Sequence, residues 1–143
     1  MQKLNEIFFY QLEKAIKSYR RYVQARFKDQ GFGITVDQWL VLKALSENAK
    51  LTQSDLAELV FKDKASMTRL IELLVLKKLV QRAAHETSRR RFKLTVTDKG
   101  HELIVQIIPL IKDNRKHGLR GINFAELQAV EQILKKIIDN CTN

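Results

Sequence analysis

The run Thr52-Gln53-Ser54-Asp55-Leu56-Ala57-Glu58-Leu59-Val60, then Phe61-Lys62-Asp63, then Lys64-Ala65-Ser66-Met67-Thr68-Arg69-Leu70-Ile71-Glu72-Leu73-Leu74 reads as two short helices joined by a tight turn. Thr52 followed three residues later by Asp55 is a capping-box variant. The threonine oxygen accepts from an orphan N–H, and the carboxylate sits at the positive helix end. A helix is therefore expected from Thr52, with Leu56, Ala57, Leu59 and Val60 as its buried side. Phe61-Lys62-Asp63 has the length of a helix–helix turn, and Asp63 can cap a second helix starting near Lys64. In that helix Met67, Leu70, Ile71 and Leu74 recur at i, i+3, i+4 and i+7 and form one core stripe. The opposite positions, Ala65, Thr68, Arg69 and Glu72, with Lys62, Lys64 and Ser66 near the leading end, are left exposed. Small residues there permit close approach to a DNA major groove, hydroxyls bond bases or phosphates, and arginine bonds guanine bidentately.

Beyond the second helix, Leu79-Val80-Gln81-Arg82-Ala83 and Phe92-Lys93-Leu94-Thr95-Val96 read as short strands, the second alternating apolar and polar. Between them lies His85-Glu86-Thr87-Ser88-Arg89-Arg90-Arg91. Two short helices and a basic hairpin make a winged helix-turn-helix, a mainly α fold with a small β-wing. Arg89, Arg90 and Arg91 at the hairpin tip suit a narrow minor groove, where the negative potential is enhanced. A solvated charge run is the alternative for the same residues.

The order Thr52-x-x-Asp55-Leu56-Ala57, then Ala65-Ser66-Met67-Thr68-Arg69-Leu70, Leu79-Val80, Arg89-Arg90 and Thr97-x-x-Gly100 resembles the MarR family of bacterial transcriptional regulators, over nearly the whole chain. That resemblance implies a homodimer. Residues 1–31 and 101–143 would supply dimerisation helices around a winged helix-turn-helix DNA-binding region at 35–100, all within a single domain, 1–143. Two positions depart from the family's pattern. Ser88 stands two residues before Arg90, where an acidic residue is common, and Lys78 stands where a glycine commonly follows the recognition helix.

The chain's 143 residues suit one domain, and a 45% hydrophobic content is enough for a core. Its formal net charge is +10, and between Lys62 and Lys99 eleven Lys/Arg face four Asp/Glu, so the excess is concentrated where contact is expected. Such a field attracts polyanions. Nucleic acid fits best, although a basic surface alone would also fit an anionic membrane. Glu6 and Glu13 interrupt any secretory h-region, and the apolar run Leu103 to Ile111 holds Gln106 and Pro109 and falls far short of the ~20 residues of a spanning helix. A cytoplasmic protein with no membrane partner is expected. A single cysteine, Cys141, supports no internal disulfide.

The flanks carry long apolar stripes. Leu4, Phe8, Leu12, Ala15, Ile16, Tyr19, Val23 and Phe27 stand at helical spacing up to Gly31-Phe32-Gly33, which ends that helix. Thr35-x-x-Gln38 begins the next in capping-box form, with Trp39, Leu40, Leu42, Ala44 and Leu45 packing it, Trp39 as core. After Thr97, another cap, the residues Leu103 to Ile111 are apolar nearly all round and imply a buried helix, kinked at Pro109. His117-Gly118-Leu119-Arg120-Gly121 reads as a loop. Leu127, Val130, Leu134, Ile137 and Cys141 then make an a/d seam, with Cys141 as buried filler. Stripes of this length point to helices intertwined between two subunits; a monomeric bundle is the alternative.

Catalytic and metal patterns are missing from the sequence. His85, His101 and His117 are scattered, one cysteine makes no zinc site, and Gly31-x-Gly33 has Val36 in place of the third glycine of a dinucleotide fingerprint. The expectation is a non-enzyme with no cofactor and no metal. It would bind double-stranded DNA as a homodimer, by family habit as a repressor, on a palindromic operator. Lys62, Lys64, Ala65, Ser66, Thr68 and Arg69 would face the major groove and Arg89, Arg90 and Arg91 the minor groove. By resemblance, a small aromatic or anionic effector in the crevice between the dimer helices and the winged region releases the DNA. Tyr10, Tyr19, Tyr22 and Arg20 are candidates to line it, although packing also accounts for the tyrosines. The alternative function is a winged-helix module binding RNA or a protein partner.

Overall fold

Side-chain caps set where the helices begin. The structure, a computed structural model, describes residues 1–84 and 92–142. After a 3₁₀ turn, Leu4–Glu6, come α1 (Phe8–Asp29), α2 (Val36–Glu47), α3 (Gln53–Leu59), α4 (Lys64–Leu76), β1 (Val80–Ala84), β2 (Phe92–Val96), α5 (Asp98–Gly118) and α6 (Phe124–Cys141). Thr35, Thr52 and Asn123 each accept the N3 backbone N–H, while the N3 side chains of Gln38, Asp55 and Glu126 reach back to the cap. Asp63 caps α4. The two strands pair antiparallel, Val80 opposite Val96 and Ala84 opposite Phe92. The fold is mainly α with a two-stranded wing, as the sequence implies. Residues 85–91, the wing tip with Arg89, Arg90 and Arg91, lie outside the described residues.

The chain divides into two compact units, Met1–Ile111 and Lys112–Asn143. The first has a core of Phe27, Val41, Leu42, Leu56, Met67, Ile71 and Leu74, all fully buried, with Leu94 and Val80 of the wing closing one side. The second consists of the end of α5 followed by α6, in which no residue is buried.

Three helix ends share one geometry. After α1, Gly31 N–H donates to Lys28 O and Phe32 N–H to Phe27 O; after α3, Phe61 bonds Glu58 O and Lys62 bonds Ala57 O; after α4, Lys78 bonds Val75 O and Leu79 bonds Leu74 O. Each is a Schellman motif, which needs a left-handed residue at its pivot. The pivots have φ of 70° at Gly31, 60° at Phe61 and 63° at Lys78. The turn after α4 therefore keeps the glycine-like geometry with lysine in place. Gly100 is constrained differently: a Cβ there would collide with the Leu79 carbonyl oxygen and stand 2.7 Å from Val96 Cγ1. Thr97 holds this corner, its hydroxyl donating to Lys78 O at 2.7 Å and accepting from Gly100 N–H at 3.0 Å.

Several expectations change. Leu59 is 53% exposed, because the buried arc of α3 runs through Leu56, Val60 and Ala57 and Leu59 falls about 110° from its centre at 3.6 residues per turn. On α5, Ile104, Ile107 and Leu110 are buried while Val105, on the far side, is 65% exposed, so the helix is not covered all round within this chain. It continues past Pro109 to Gly118, which moves the following loop to residues 119–123. The N-terminal stripe is not one helix: Ile7 is extended at ψ 120°, and Leu4, Phe8 and Ile16 are exposed, whereas Val23 and Phe27 are buried. Cys141 is exposed within the single chain.

Two substitutions test this geometry in urea unfolding. Lys78→Gly removes left-handed strain of about 1 kcal/mol, partly offset by added chain entropy, and raises stability by roughly 0.5 kcal/mol. Gly100→Ala overpacks the corner and lowers it by about 2 kcal/mol.

Candidate nucleic-acid interface

One face of α4 is anchored and the other is free. Met67, Leu70, Ile71 and Leu74 are buried, which turns Lys64, Ala65, Ser66, Arg69 and Glu72 outward. The helix start is built tightly. Ser66 donates both its backbone N–H (2.7 Å to Asp63 Oδ1) and its hydroxyl (3.0 Å to Asp63 Oδ2) to the capping carboxylate. Those bonds from Ser66 hold the Asp63 carboxyl below its ordinary value of 3.8. Because the Ser66 proton is committed to Asp63, Ser66 meets a partner as an acceptor.

Thr68 is half-buried and similarly engaged. Its hydroxyl donates to Lys64 O at 2.9 Å and accepts from Gln53 Nε2 at 2.7 Å, tying α4 to the first residue of α3. With its hydroxyl engaged by Gln53 and Lys64, Thr68 has chiefly its methyl group to offer a partner, a group suited to a thymine methyl. Gln53 stands with Thr52, Ser54, Thr68, Arg82, Phe92 and Leu94 around a recess of about 380 Å³. The Arg82 guanidinium lies 5.3 Å from the centroid of the Phe92 ring. Nothing in the sequence marks this recess; a glutamine at the first helical position and an arginine on a strand carry no local signature.

Lys62 is exposed but held in an ion pair. Its ammonium is 3.0 Å from Asp37 Oδ2, and the other oxygen of Asp37 is 2.5 Å from Arg20 Nη2. Among the effector-crevice candidates, Tyr19 and Tyr22 pack on the core, Arg20 is in this ion pair, and Tyr10 lines a shallow recess with Asn5, Gln11, Lys14, Ala15 and Ser18. A recess of about 350 Å³ lies among Phe32, Ile34, Lys77, Leu79, Lys99 and Leu103, where Lys99 Nζ donates to Lys77 O at 3.2 Å and Lys77 Nζ to Gly33 O. Among the described residues there is no group of three or more His, Cys, Asp or Glu placed to hold a metal ion. No helix among them is long and apolar enough to cross a membrane.

A capped helix pair, an exposed helix face carrying Lys64 and Arg69, and a two-stranded wing define a winged helix-turn-helix fold. Residues 32–91 match the model of the MarR family. Among its curated relatives is the HTH-type transcriptional repressor NicR of Pseudomonas putida, 27% identical over 129 residues, covering 89% of this chain and 81% of that one. The first such relatives are matched over between 62% and 81% of their own length. Bordetella bronchiseptica BpsR superposes with a TM-score of 0.86 at 24% identity over 97% of this chain and 98% of that one. A cysteine-to-serine mutant of Escherichia coli MarR, in complex with operator DNA, superposes with a TM-score of 0.85 at 22% identity, over 96% and 99%.

The Asp63 cap makes a pH prediction. Because its pKa is lowered on folding, its contribution is complete above the unfolded value of 3.8 and is lost as pH falls below it. Asn also caps helices but does not titrate in this range. Thermal unfolding of Asp63→Asn should therefore show somewhat lower stability than the wild type at pH 7 and a smaller loss than the wild type on going to pH 3.

Proposed function

We propose that this protein is a homodimeric, sequence-specific regulator that binds double-stranded DNA, acting as a repressor at a palindromic operator. The observation that carries the reading is the division of α4: four apolar side chains hold one face in the core while Lys64, Ala65, Ser66 and Arg69 stand on the other. Its support is twofold. NicR is named a transcriptional repressor, and the neighbour MarR holds operator DNA.

In this reading Arg69 and Lys64 bond base edges or phosphates in the major groove, Ser66 accepts from base-edge donors, and Ala65 and the Thr68 methyl allow close approach. Lys62 flanks this group. Arg89, Arg90 and Arg91 enter the adjoining minor groove. Residues 35–100 form the DNA-binding region, and 1–31 and 101–143 build the dimer. The exposed apolar residues of α1 (Phe8, Phe9, Ile16) and of α6 (Phe124, Val130, Ile133, Ile138) are the surface such a dimer needs to cover. Two-fold symmetry then places half-sites about one helical turn apart. Release by a small aromatic acid completes the reading; DNA binding by BpsR is regulated by 6-hydroxynicotinic acid. Such a ligand acts through different affinities for the free and DNA-bound arrangements.

Selection of bound duplexes from a random pool, followed by titration of the winner against a scrambled control at two salt concentrations, tests the proposal. A palindromic winner bound roughly a thousandfold or more tightly than the control is the expected result. Equal binding of both, abolished by salt, would leave only a polyanion-attracting surface. Arg69→Ala should relax base choice at one position in each half-site, a loss of about 1–3 kcal/mol of discrimination. In sedimentation, the wild type should run as a dimer and Val130→Glu with Ile133→Glu as a monomer.

A further inference from the structure

The Asp37 carboxylate joins three separate elements. It lies in the first turn of α2, where a negative charge suits the helix end. Oδ1 takes Arg20 of α1, and Oδ2 takes Lys62 of the turn between α3 and α4. The Asp37 side chain is 23% exposed and those of Arg20 and Lys62 are 37% and 39% exposed, so the cluster is half withdrawn from water and screened less than a surface pair.

Lys62 is held at both ends. Its backbone N–H closes the Schellman motif on Ala57 O, its side chain is bound by Asp37, and the next residue is the Asp63 cap from which α4 begins. The residue before it, Phe61, is left-handed at φ 60° and 91% exposed, so packing does little to hold this turn. The ion pair is a side-chain contact that fastens the turn to α2 and, through Arg20, to α1. Lys64, two residues on, stands on the exposed surface.

We infer that Asp37, through Lys62, is a positioning residue for DNA recognition: it fixes the start of the recognition helix relative to α1, and Lys62 serves that anchor and not a DNA phosphate. The inference rests on the proposed DNA-binding function. Since α1 is the helix assigned to the dimer, the anchor also sets how far apart the two recognition helices stand. Loss of the anchor lets each α4 start shift, which harms binding to a spaced palindrome and leaves backbone attraction intact. Specificity and bulk affinity therefore separate.

The test compares wild type, Asp37→Asn, Lys62→Met and the double variant on the selected duplex and its scrambled control across a salt series. The anchor predicts that each single substitution lowers the ratio of specific to non-specific affinity by about three- to fivefold, the range of a half-exposed ion pair. The double variant should be no worse than the poorer single one, because both break the same contact. Non-specific binding by Lys62→Met should keep the wild-type salt slope. A phosphate contact by Lys62 predicts the reverse: Lys62→Met weakens both duplexes alike and reduces the slope by about one, while Asp37→Asn tightens both and leaves the ratio unchanged. That result overturns the inference while the proposed function stands. A wild-type ratio near one overturns both.

Discussion

Everything at the interface depends on the rotation of α4 about its own axis, and that rotation is set by burial. Met67, Leu70, Ile71 and Leu74 are each worth on the order of 2 kcal/mol out of water. The opposing local costs are smaller: left-handed backbone at Phe61 and at Lys78 amounts to about 1 kcal/mol each. Burial wins, so the helix keeps its register and the turns at both ends accept non-glycine pivots. Once the stripe faces the core, Lys64, Ala65, Ser66 and Arg69 have no choice but to face out.

The second constraint is electrostatic. A chain with formal net charge +10 repels itself, and its cations either pair with carboxylates or stand on the surface without such a pair. Both occur side by side here. Lys62 is drawn onto Asp37 with Arg20, whereas Lys64 and Arg69 remain on the open face of α4. Two lysines two residues apart are thereby given different work. The Asp63 carboxylate between them takes both donors of Ser66, which fixes where the helix starts and what Ser66 can still accept.

Much of this is legible in the sequence alone. The caps at Thr35, Thr52 and Asp63 are local chemistry, and the α4 stripe is a strong period, so helix starts and the open face follow directly. What is not legible depends on contacts between distant residues or on which side of a helix finds a partner. Composition alone does not show that only one side of Leu103 to Ile111 is covered within the chain, nor that Leu59 points outward. The break at Ile7 has no glycine or proline to announce it. Asp37 looks like an ordinary first-turn acid; its bonds to residues 17 and 25 positions away appear only on folding. The engagement of Thr68 by Gln53 is hidden for the same reason. His117 and Gly118, which resemble loop residues, are the last turn of α5 because the helix runs on past Pro109.

Dimethyl sulfate interference on the selected duplex measures the central claim most directly, because it methylates guanine N7 in the major groove and adenine N3 in the minor groove. Reading by the open face of α4 predicts guanine interference in two clusters about one helical turn, on the order of 34 Å, apart on one face of the duplex, with any adenine interference confined to the flanks. Interference at adenine N3 alone, with guanine N7 methylation tolerated throughout, would contradict it.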